Sequence, residues 1–291
     1  PGWDGTFYVV DMYRGVSQDG PLQTDYLRNY VLRNRLWESI HLGRIYRVVR
    51  DGMTSDRRPR MLDETTAQLV GHLSHPNGWW RDMAQQLIVQ RGDTSVVPAL
   101  RKLAAAADAR TRLHALWTLD GLGASDPGIV RRALDDPSAD VRVAAVRLSE
   151  RWLDDARGPF RAALLARMDD PSWLVRRQLT ATFGEFPVEL RVAPILAMLD
   201  RYGDDPVVVD AAASGLSGQE SQVLEQVVGR SRPNVDALVV LSGAIGKRRD
   251  PASVQALLAF GTDAARPQPV RVAILKGVAL GLSGASGAQI A

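Results

Sequence analysis

The sequence contains no cysteine, and this absence excludes several kinds of chemistry. Without thiols the chain can form no disulfide, thiolate zinc site, iron–sulfur cluster, cysteine nucleophile or covalent CxxCH haem attachment. The compartment stays open, because a cysteine-free protein suits both the cytosol and the periplasm. Only four histidines are present, so imidazole ligands are scarce as well.

Long apolar runs are also missing. No stretch approaches the ~20 apolar residues that a membrane-spanning helix requires, and no basic-then-apolar leader is visible. We therefore expect no membrane span and no signal peptide within these 291 residues. The hydrophobic content of 45% is typical of a globular protein.

The net charge of +3 is too small to indicate nucleic acid by itself. Arginine is nevertheless concentrated between Arg28 and Arg60, where nine arginines stand against three acids. Such a segment is most often a solvated or salt-bridged surface, and a polyanion site is the sharper alternative. A DNA-binding helical repeat would need a second basic surface, but neighbouring acids argue against one, so we expect no nucleic-acid partner. The arginines in question are Arg131, Arg132, Arg147, Arg151, Arg161, Arg167 and Arg177.

The strongest pattern is an internal repeat. The tripeptide DDP occurs at residues 135–137, 169–171 and 204–206, at intervals of 34 and then 35 residues. Asp before a helix caps its free N–H groups, and Pro fits the first turn, where no hydrogen bond is lost. A catalytic acid pair would occur once, whereas these pairs recur, so we interpret them as helix caps.

An arginine recurs in phase with this motif, five residues after the proline in two of the three cases. We expect it to hydrogen-bond the turn acids of the neighbouring repeat and so tie the stack together. If Arg142 is buried and bonded in this way, its replacement by alanine costs about 1–3 kcal/mol of stability. The arginines of this predicted ladder are Arg81, Arg112, Arg142 and Arg176.

The stretches "DDPSADVRVAAVRL" and "DDPSWLVRRQL" resemble HEAT repeats, which are pairs of short helices. Such pairs cannot bury their apolar faces alone and must stack into a solenoid. The resemblance implies a mostly α fold, an armadillo-like α-solenoid of about six helix pairs over residues 62–291. HEAT-like proteins are most often scaffolds, so the implied partner is another protein or a neighbouring domain.

Residues 1–61 have a different pattern. The stretches "GTFYVVDMYRG" and "GRIYRVVRDG" are rich in β-branched and aromatic residues and bounded by glycine, which predicts two strands with a partly helical insert between them. Two strands alone are marginal in stability. We therefore expect them to close a larger β assembly, and the sequence to be an internal or C-terminal segment of its parent.

The stretch "DGTFYVVDMYRGV" followed by "LGRIYRVV" resembles the last blade of a β-propeller of the glucose/sorbosone dehydrogenase type. The stretches "HPNGWWRDMAQQLIVQRGD" and "LHALWTLDGLG" resemble the helical repeats that follow such propellers in bacterial proteins classed as membrane-bound dehydrogenases. The resemblance implies a propeller remnant at 1–61, a periplasmic location, and a parent with a quinone cofactor, calcium and a haem c domain. No cofactor is expected in this chain; its candidate cofactor-binding residues are Asp11, Arg14 and His41. The alternative is a structural pair of Asp11 with Arg14.

Two functions follow from these resemblances. In the first, the repeats link a propeller-type dehydrogenase to its electron-accepting haem c domain. In the second, the chain is a self-contained HEAT-repeat scaffold that binds protein and has no enzymatic activity. In either case we expect no catalytic activity from these 291 residues alone.

Adjacent tryptophans and two nearby histidines complete the list of candidate sites. We expect either Trp79 or Trp80 to pack at the junction between the β segment and the first repeat; the alternative is a binding hot spot. His72 and His75 could share one helix face as a metal pair. No third ligand has suitable spacing, so hydrogen bonding at a helix end is favoured.

Overall fold

The computed structural model describes residues 2–17, 20–54, 58–155, 158–230 and 233–283. These residues are mostly helical, with a two-stranded antiparallel sheet near the N-terminus, which confirms the predicted fold class. The chain divides into two compact units, residues 1–103 and 104–291. Among the described residues, no helix combines the length and the apolarity that crossing a bilayer requires.

The first unit begins with the sheet. Strand β1 (Phe7–Asp11) pairs antiparallel with β2 (Arg44–Val48), and helix α1 (Asp25–Arg33) lies between them in sequence. Three further helices follow, namely α2 (Thr66–His72), α3 (Gly78–Arg91) and α4 (Val97–Leu103). Both strands therefore lie inside the stretches that alternation predicted.

Helices α2 and α3 have clear start and stop signals and pack against each other. Thr65 caps α2 in a capping box with Gln68, so two free N–H groups are satisfied reciprocally. The Asn77 side chain caps α3 by accepting a backbone N–H bond. Gly92 ends α3 in the left-handed conformation with φ of 62°, which glycine adopts without strain.

The sheet exposes apolar side chains on both faces. Phe7 and Val48 are cross-strand neighbours on one face, with 62% and 56% exposure. Val10 and Ile45 are neighbours on the other, with 70% and 71% exposure. No other described strand flanks this pair. The two predicted strands thus form a sheet whose faces are both left exposed by the described residues of this unit.

The described residues of the second unit form eleven helices. They are α5 (Ala109–Gly121), α6 (Pro127–Ala133), α7 (Ala139–Leu148), α8 (Phe160–Leu165), α9 (Trp173–Phe183), α10 (Val188–Tyr202), α11 (Pro206–Gly215), α12 (Glu220–Val228), α13 (Val235–Lys247), α14 (Pro251–Thr262) and α15 (Gln268–Leu282).

These helices pack as a repeat array. The second helices of successive pairs contact one another in series, α5 with α7, α7 with α9, α9 with α11, α11 with α13 and α13 with α15. We call this row the second-helix layer. Each of α7, α9, α11, α13 and α15 follows its own first helix in the chain, as a helix-pair repeat requires. Counted in chain order, the described helices of the second unit from α6 to α15 make five such pairs.

Small residues let the second helices approach closely. Ala145, three residues after the ladder arginine Arg142, is fully buried. A Cβ on Gly184 would lie 2.5 Å from the Cα of Gly215, and one on Gly277 would lie 2.4 Å from the Val239 carbonyl oxygen. Any larger side chain at these two positions must therefore push neighbouring helices apart.

Candidate protein-binding groove

Successive helix pairs in the second unit are joined by arginine–aspartate bridges. Arg112 Nε and Nη2 donate to the two carboxylate oxygens of Asp136 at 2.7 and 2.6 Å. Arg142 binds Asp170 in the same way, at 2.9 and 2.8 Å. Two-bond arginine–carboxylate pairs are strong and directional. The Arg142 and Asp170 side chains are only 13% and 5% exposed, so this bridge is shielded from solvent.

The same arginines also close their own turns. Arg142 Nη1 donates to the carbonyls of Asp136 at 2.8 Å and Pro137 at 3.2 Å. Arg81, in the first unit, donates likewise to the carbonyl of His75 at 2.6 Å. Each such arginine therefore holds the turn that precedes its helix.

In the next repeat these two roles are divided between neighbouring arginines. Arg176 Nη1 bonds its own turn at the Asp170 carbonyl, 3.0 Å away, and its guanidinium lies 4.5 Å from the Tyr202 ring centre. The bridge to Asp205 is made by Arg177, at 2.7 and 2.9 Å. Arg176 thus differs from its predicted role: it holds its own turn and packs on Tyr202, while Arg177 binds the acid.

The two acids of a DDP motif bind neighbours on opposite sides. Asp136 receives the bridge from the preceding repeat, while Asp135 accepts a bond from Arg167 of the following one. In the next motif Asp169 accepts the hydroxyl of Tyr202, again from the following repeat, at 2.9 Å. The second acid also binds the residue before α7, since Asp136 accepts the backbone N–H of Ser138, the N-cap residue of that helix. The doubled aspartate therefore joins three successive repeats.

Hydrogen bonds from arginine lower the pKa values of two ladder acids, Asp170 and Asp205. The bond from Arg177 holds the pKa of Asp205 below its ordinary value. Burial raises the pKa of Asp170, but the bonds from Arg142 and from the Ser172 N–H outweigh it, so this pKa is also lowered. Both acids are therefore ionised at neutral pH, as the bridges require.

The second-helix layer carries an apolar groove of about 600 Å³. It crosses four helices that are neighbours in this layer, α5, α7, α9 and α11, and its main apolar side chains are only partly buried. We call it the second-helix groove. Its main apolar side chains are Leu113, Trp117, Val143, Leu174 and Val207, and its polar ones are Asp140, Arg147, Arg177 and Gln178.

Two charged side chains of α7 line this groove and remain accessible. Asp140 and Arg147 are seven residues apart, which is roughly 10 Å along a helix. Asp140 has no hydrogen-bond or ion-pair partner in the part of the chain that the structure describes. Arg147 pairs with Glu150 yet stays 57% exposed. The groove thus offers one acid and one base beside an apolar surface.

The groove was not predicted from the sequence, although the sequence does show a regular spacing between its apolar residues and the ladder arginines. Leu113 and Val143 each follow a ladder arginine, Arg112 or Arg142, by one residue, and Trp117 follows Arg112 by five. These offsets lie on one helix face because a helix turns every 3.6 residues. The sequence could not show that four such faces form a continuous surface.

The candidate cofactor residues do not form an enclosed site in this chain. Asp11 ends β1, lies opposite Arg44, and accepts the backbone N–H of Tyr13 at 2.9 Å. Arg14 and His41 are exposed. No ion pair joins Asp11 to Arg14 among the described residues, so the structural pair considered as an alternative is not formed either. The role of these three residues in binding a cofactor stays a prediction.

Trp80 fastens the start of α3 to the segment that precedes β1. It is only 7% exposed, and its Nε1 donates to the Trp3 carbonyl at 2.9 Å. The Asn77 side chain donates to the carbonyl of Gly2 at 3.0 Å beside it. Trp79 packs edge-on against Trp80, with ring centres 6.1 Å apart. Of the two tryptophans, Trp80 therefore contacts the N-terminal segment.

The two histidines bond to protein groups and pack on Trp80. His72 Nε2 lies 2.7 Å from the Glu64 carboxylate, and His75 Nδ1 accepts the Asn77 N–H at 3.0 Å. Both rings lie about 5 Å from the Trp80 ring. Within the described ranges, no group of three or more potential ligand side chains could hold a metal ion.

Most arginines considered for DNA binding are engaged with protein groups. Arg132 has no hydrogen-bond or ion-pair partner among the described residues, and the other six all bond to acids or carbonyls. Those six are Arg131, Arg147, Arg151, Arg161, Arg167 and Arg177. Their charge is thus largely balanced within the array, which does not favour a polyanion site there.

Comparisons with known proteins do not identify a family for this chain. No protein-family model matches the chain, and no curated protein matches it. Among solved structures, the crystal structure of an engineered protein covers 75% of this chain and 97% of its own, at 16% identity and a TM-score of 0.29. A likeness at that level carries no argument about function.

Proposed function

We propose that this chain is a protein-interaction scaffold whose second-helix groove holds a segment of another protein or of a neighbouring domain. The observation that carries the proposal is the apolar groove across α5, α7, α9 and α11. Apolar surface rimmed by polar side chains marks interaction sites on soluble proteins. Stacked helical repeats offer such surfaces over several units at once.

The ladder supports this role because it fixes the walls of the groove. Arg177 lines the groove and also bridges to Asp205, so one bond pair sets the spacing between α9 and α11. A surface held in its binding conformation loses less entropy when a partner docks. Asp140 and Arg147 then select a segment with a basic and an acidic residue roughly 10 Å apart, flanking apolar side chains.

Selection from a displayed random-peptide library tests the proposal. Leu174→Glu places a charge in the groove, and Leu190→Glu, on α10, is the matched control because the two leucines are 38% and 42% exposed. We expect selected peptides to bind Leu174→Glu at least about tenfold more weakly than wild type and to bind the control normally. Equal binding to both variants would place the peptides elsewhere and contradict the proposal.

A second candidate concerns the sheet. We propose that β1 and β2 belong to a larger propeller in a periplasmic, dehydrogenase-like parent, whose other parts supply the quinone cofactor, calcium and haem c. The repeats would then hold the haem domain. The apolar exposure of both sheet faces supports this, since two strands need neighbours for stability. Upstream propeller blades and a downstream CxxCH in the coding DNA are the expected finding; immediate start and stop codons would contradict it.

We expect no catalysis from these residues alone under either proposal. The paired aspartates are the residues whose type suits acid–base chemistry, but they bind arginines, a tyrosine and a backbone N–H at a helix start. The purified chain should therefore not reduce a redox dye in the presence of sugars. Substrate-dependent dye reduction would overturn this expectation.

A further inference from the structure

We propose that a second cavity, in the first unit, binds an amphipathic anion with a hydrocarbon body and a single carboxylate. The cavity has a volume of about 690 Å³ and lies between α3 and the segment at residues 58–63. Its size falls in the range that small-molecule sites occupy. We call it the α3 cavity, and its binding role is independent of the second-helix groove.

The floor of the α3 cavity is an apolar stripe. Trp79, Met83 and Leu87 follow one another at four-residue intervals, so they lie on one face of α3. All three are partly exposed. Pro59 and Met61 line the cavity as well. Methionine adapts its shape to irregular apolar ligands. The lining also includes Gln86, Asp63 and two arginines, but the α3 stripe itself is apolar, so the ligand body is a hydrocarbon.

The segment that lines the cavity is fixed in place. Arg91, at the end of α3, donates to the carbonyls of Met61 at 3.2 Å, Leu62 at 3.4 Å and Glu64 at 2.6 Å. One side chain thus holds three carbonyls of this segment against the helix. The cavity is therefore formed before any ligand arrives, which favours binding.

The charge at the cavity selects an anionic head group. Arg60 Nε is bonded to Asp63 at 3.0 Å. Arg58 also lines the cavity and is exposed, and it has no hydrogen-bond or ion-pair partner in the residues that the structure covers. A guanidinium that has no partner among the described residues and lies beside an apolar cavity is complementary to a carboxylate, which it can bind through two parallel N–H bonds.

Titration calorimetry with decanoate, against decan-1-ol as the neutral analogue, tests this. We expect decanoate to bind at least about tenfold more tightly than the alcohol, and Arg58→Glu to remove that preference. Arg33→Glu is the matched control, an exposed α1 arginine without a bonded partner among the described residues. Equal affinity for the alcohol, or equal losses in both arginine variants, would overturn the proposal.

Apolar variants locate the ligand. Leu87→Asp should abolish decanoate binding, whereas Ile45→Ser on the exposed sheet should leave it unchanged. If circular dichroism shows that Leu87→Asp is misfolded, Met83→Gln replaces it. Binding that survives the cavity variant but not Ile45→Ser would assign the amphiphile to the sheet. Binding to phosphatidylglycerol vesicles without binding of soluble decanoate would assign the charge to a lipid surface; either result overturns the proposal.

Discussion

The bridge between Arg142 and Asp170 gives the sharpest prediction about stability. Replacing Arg142 by alanine removes both bonds to the carboxylate and the two bonds that close its own turn. The aspartate stays 5% exposed and keeps the Ser172 N–H bond at 2.9 Å. The variant therefore contains a buried carboxylate whose main partner is gone.

The size of the loss follows from that burial. Removing one partner of a buried pair costs about 3–5 kcal/mol, because the remaining charge is uncompensated. Because Asp170 keeps its bond from the Ser172 N–H, the loss of stability in Arg142→Ala should lie near the lower end of this range, at about 3 kcal/mol. Arg147→Ala, in the same helix, removes a guanidinium that is 57% exposed and should cost less than about 1 kcal/mol.

Urea unfolding followed by far-UV circular dichroism measures both losses. Repeat arrays can unfold in steps, so hydrogen exchange of α7 and α9 should accompany it. Adding Asp170→Asn to Arg142→Ala should recover part of the loss, because a neutral amide tolerates the missing arginine better than a charge does. A midpoint for Arg142→Ala no lower than that for Arg147→Ala would refute the structural role of the ladder.

Three further perturbations have defined outcomes. The folded pKa of Asp170 lies below its ordinary value of 3.8, so the stability that the ionised carboxylate contributes is complete above pH 3.8 and is lost as the pH falls through the folded pKa. Asp170→Asn should therefore flatten the acid side of a profile of melting temperature against pH. An unchanged profile would count against the bridge. Gly277→Ala brings a Cβ to 2.4 Å from the Val239 carbonyl oxygen and should lower the free energy of unfolding by about 1–3 kcal/mol. Gly71→Ala meets no atom within 4 Å and should raise that free energy by up to about 1 kcal/mol. Urea unfolding measures both, and similar effects of the two variants would contradict the packing argument. Trp80→Phe loses its bond to a carbonyl ahead of β1 and should weaken the anchoring of that segment by about 1 kcal/mol, seen as faster limited proteolysis there; an unaltered cleavage rate would exclude this role.

Local signals explain why so much of the fold could be predicted. DDP precedes α7, α9 and α11, so the motif correctly located these helix starts. At α11 the motif itself supplies the cap and the first-turn proline, whereas at α7 and α9 the N-cap residues are Ser138 and Ser172 and the proline lies before them. Alternation bounded by glycine likewise indicated β1 and β2. The exposure of both sheet faces could not be predicted, because it depends on which other elements pack there.

The ladder shows where sequence reasoning stops. The position of the arginine in each repeat indicated that it would bind a turn acid, but it could not show that Arg177, and not Arg176, binds Asp205. The partner of Asp135 was missed too, although an arginine precedes each DDP by two or three residues, as Arg167 does. The partners of Asp205 and of Asp135 both depend on how far the arginine side chains extend between repeats.

The second-helix groove is the central claim, and hydrogen exchange tests it most directly. Amide exchange of the chain would be measured with and without a peptide selected for binding, using Leu174→Glu as the matched variant. The account predicts slower exchange in α7 and α9, absent in the variant, with no change in β1 and β2. Protection confined to the sheet, or equal protection in the variant, would contradict it.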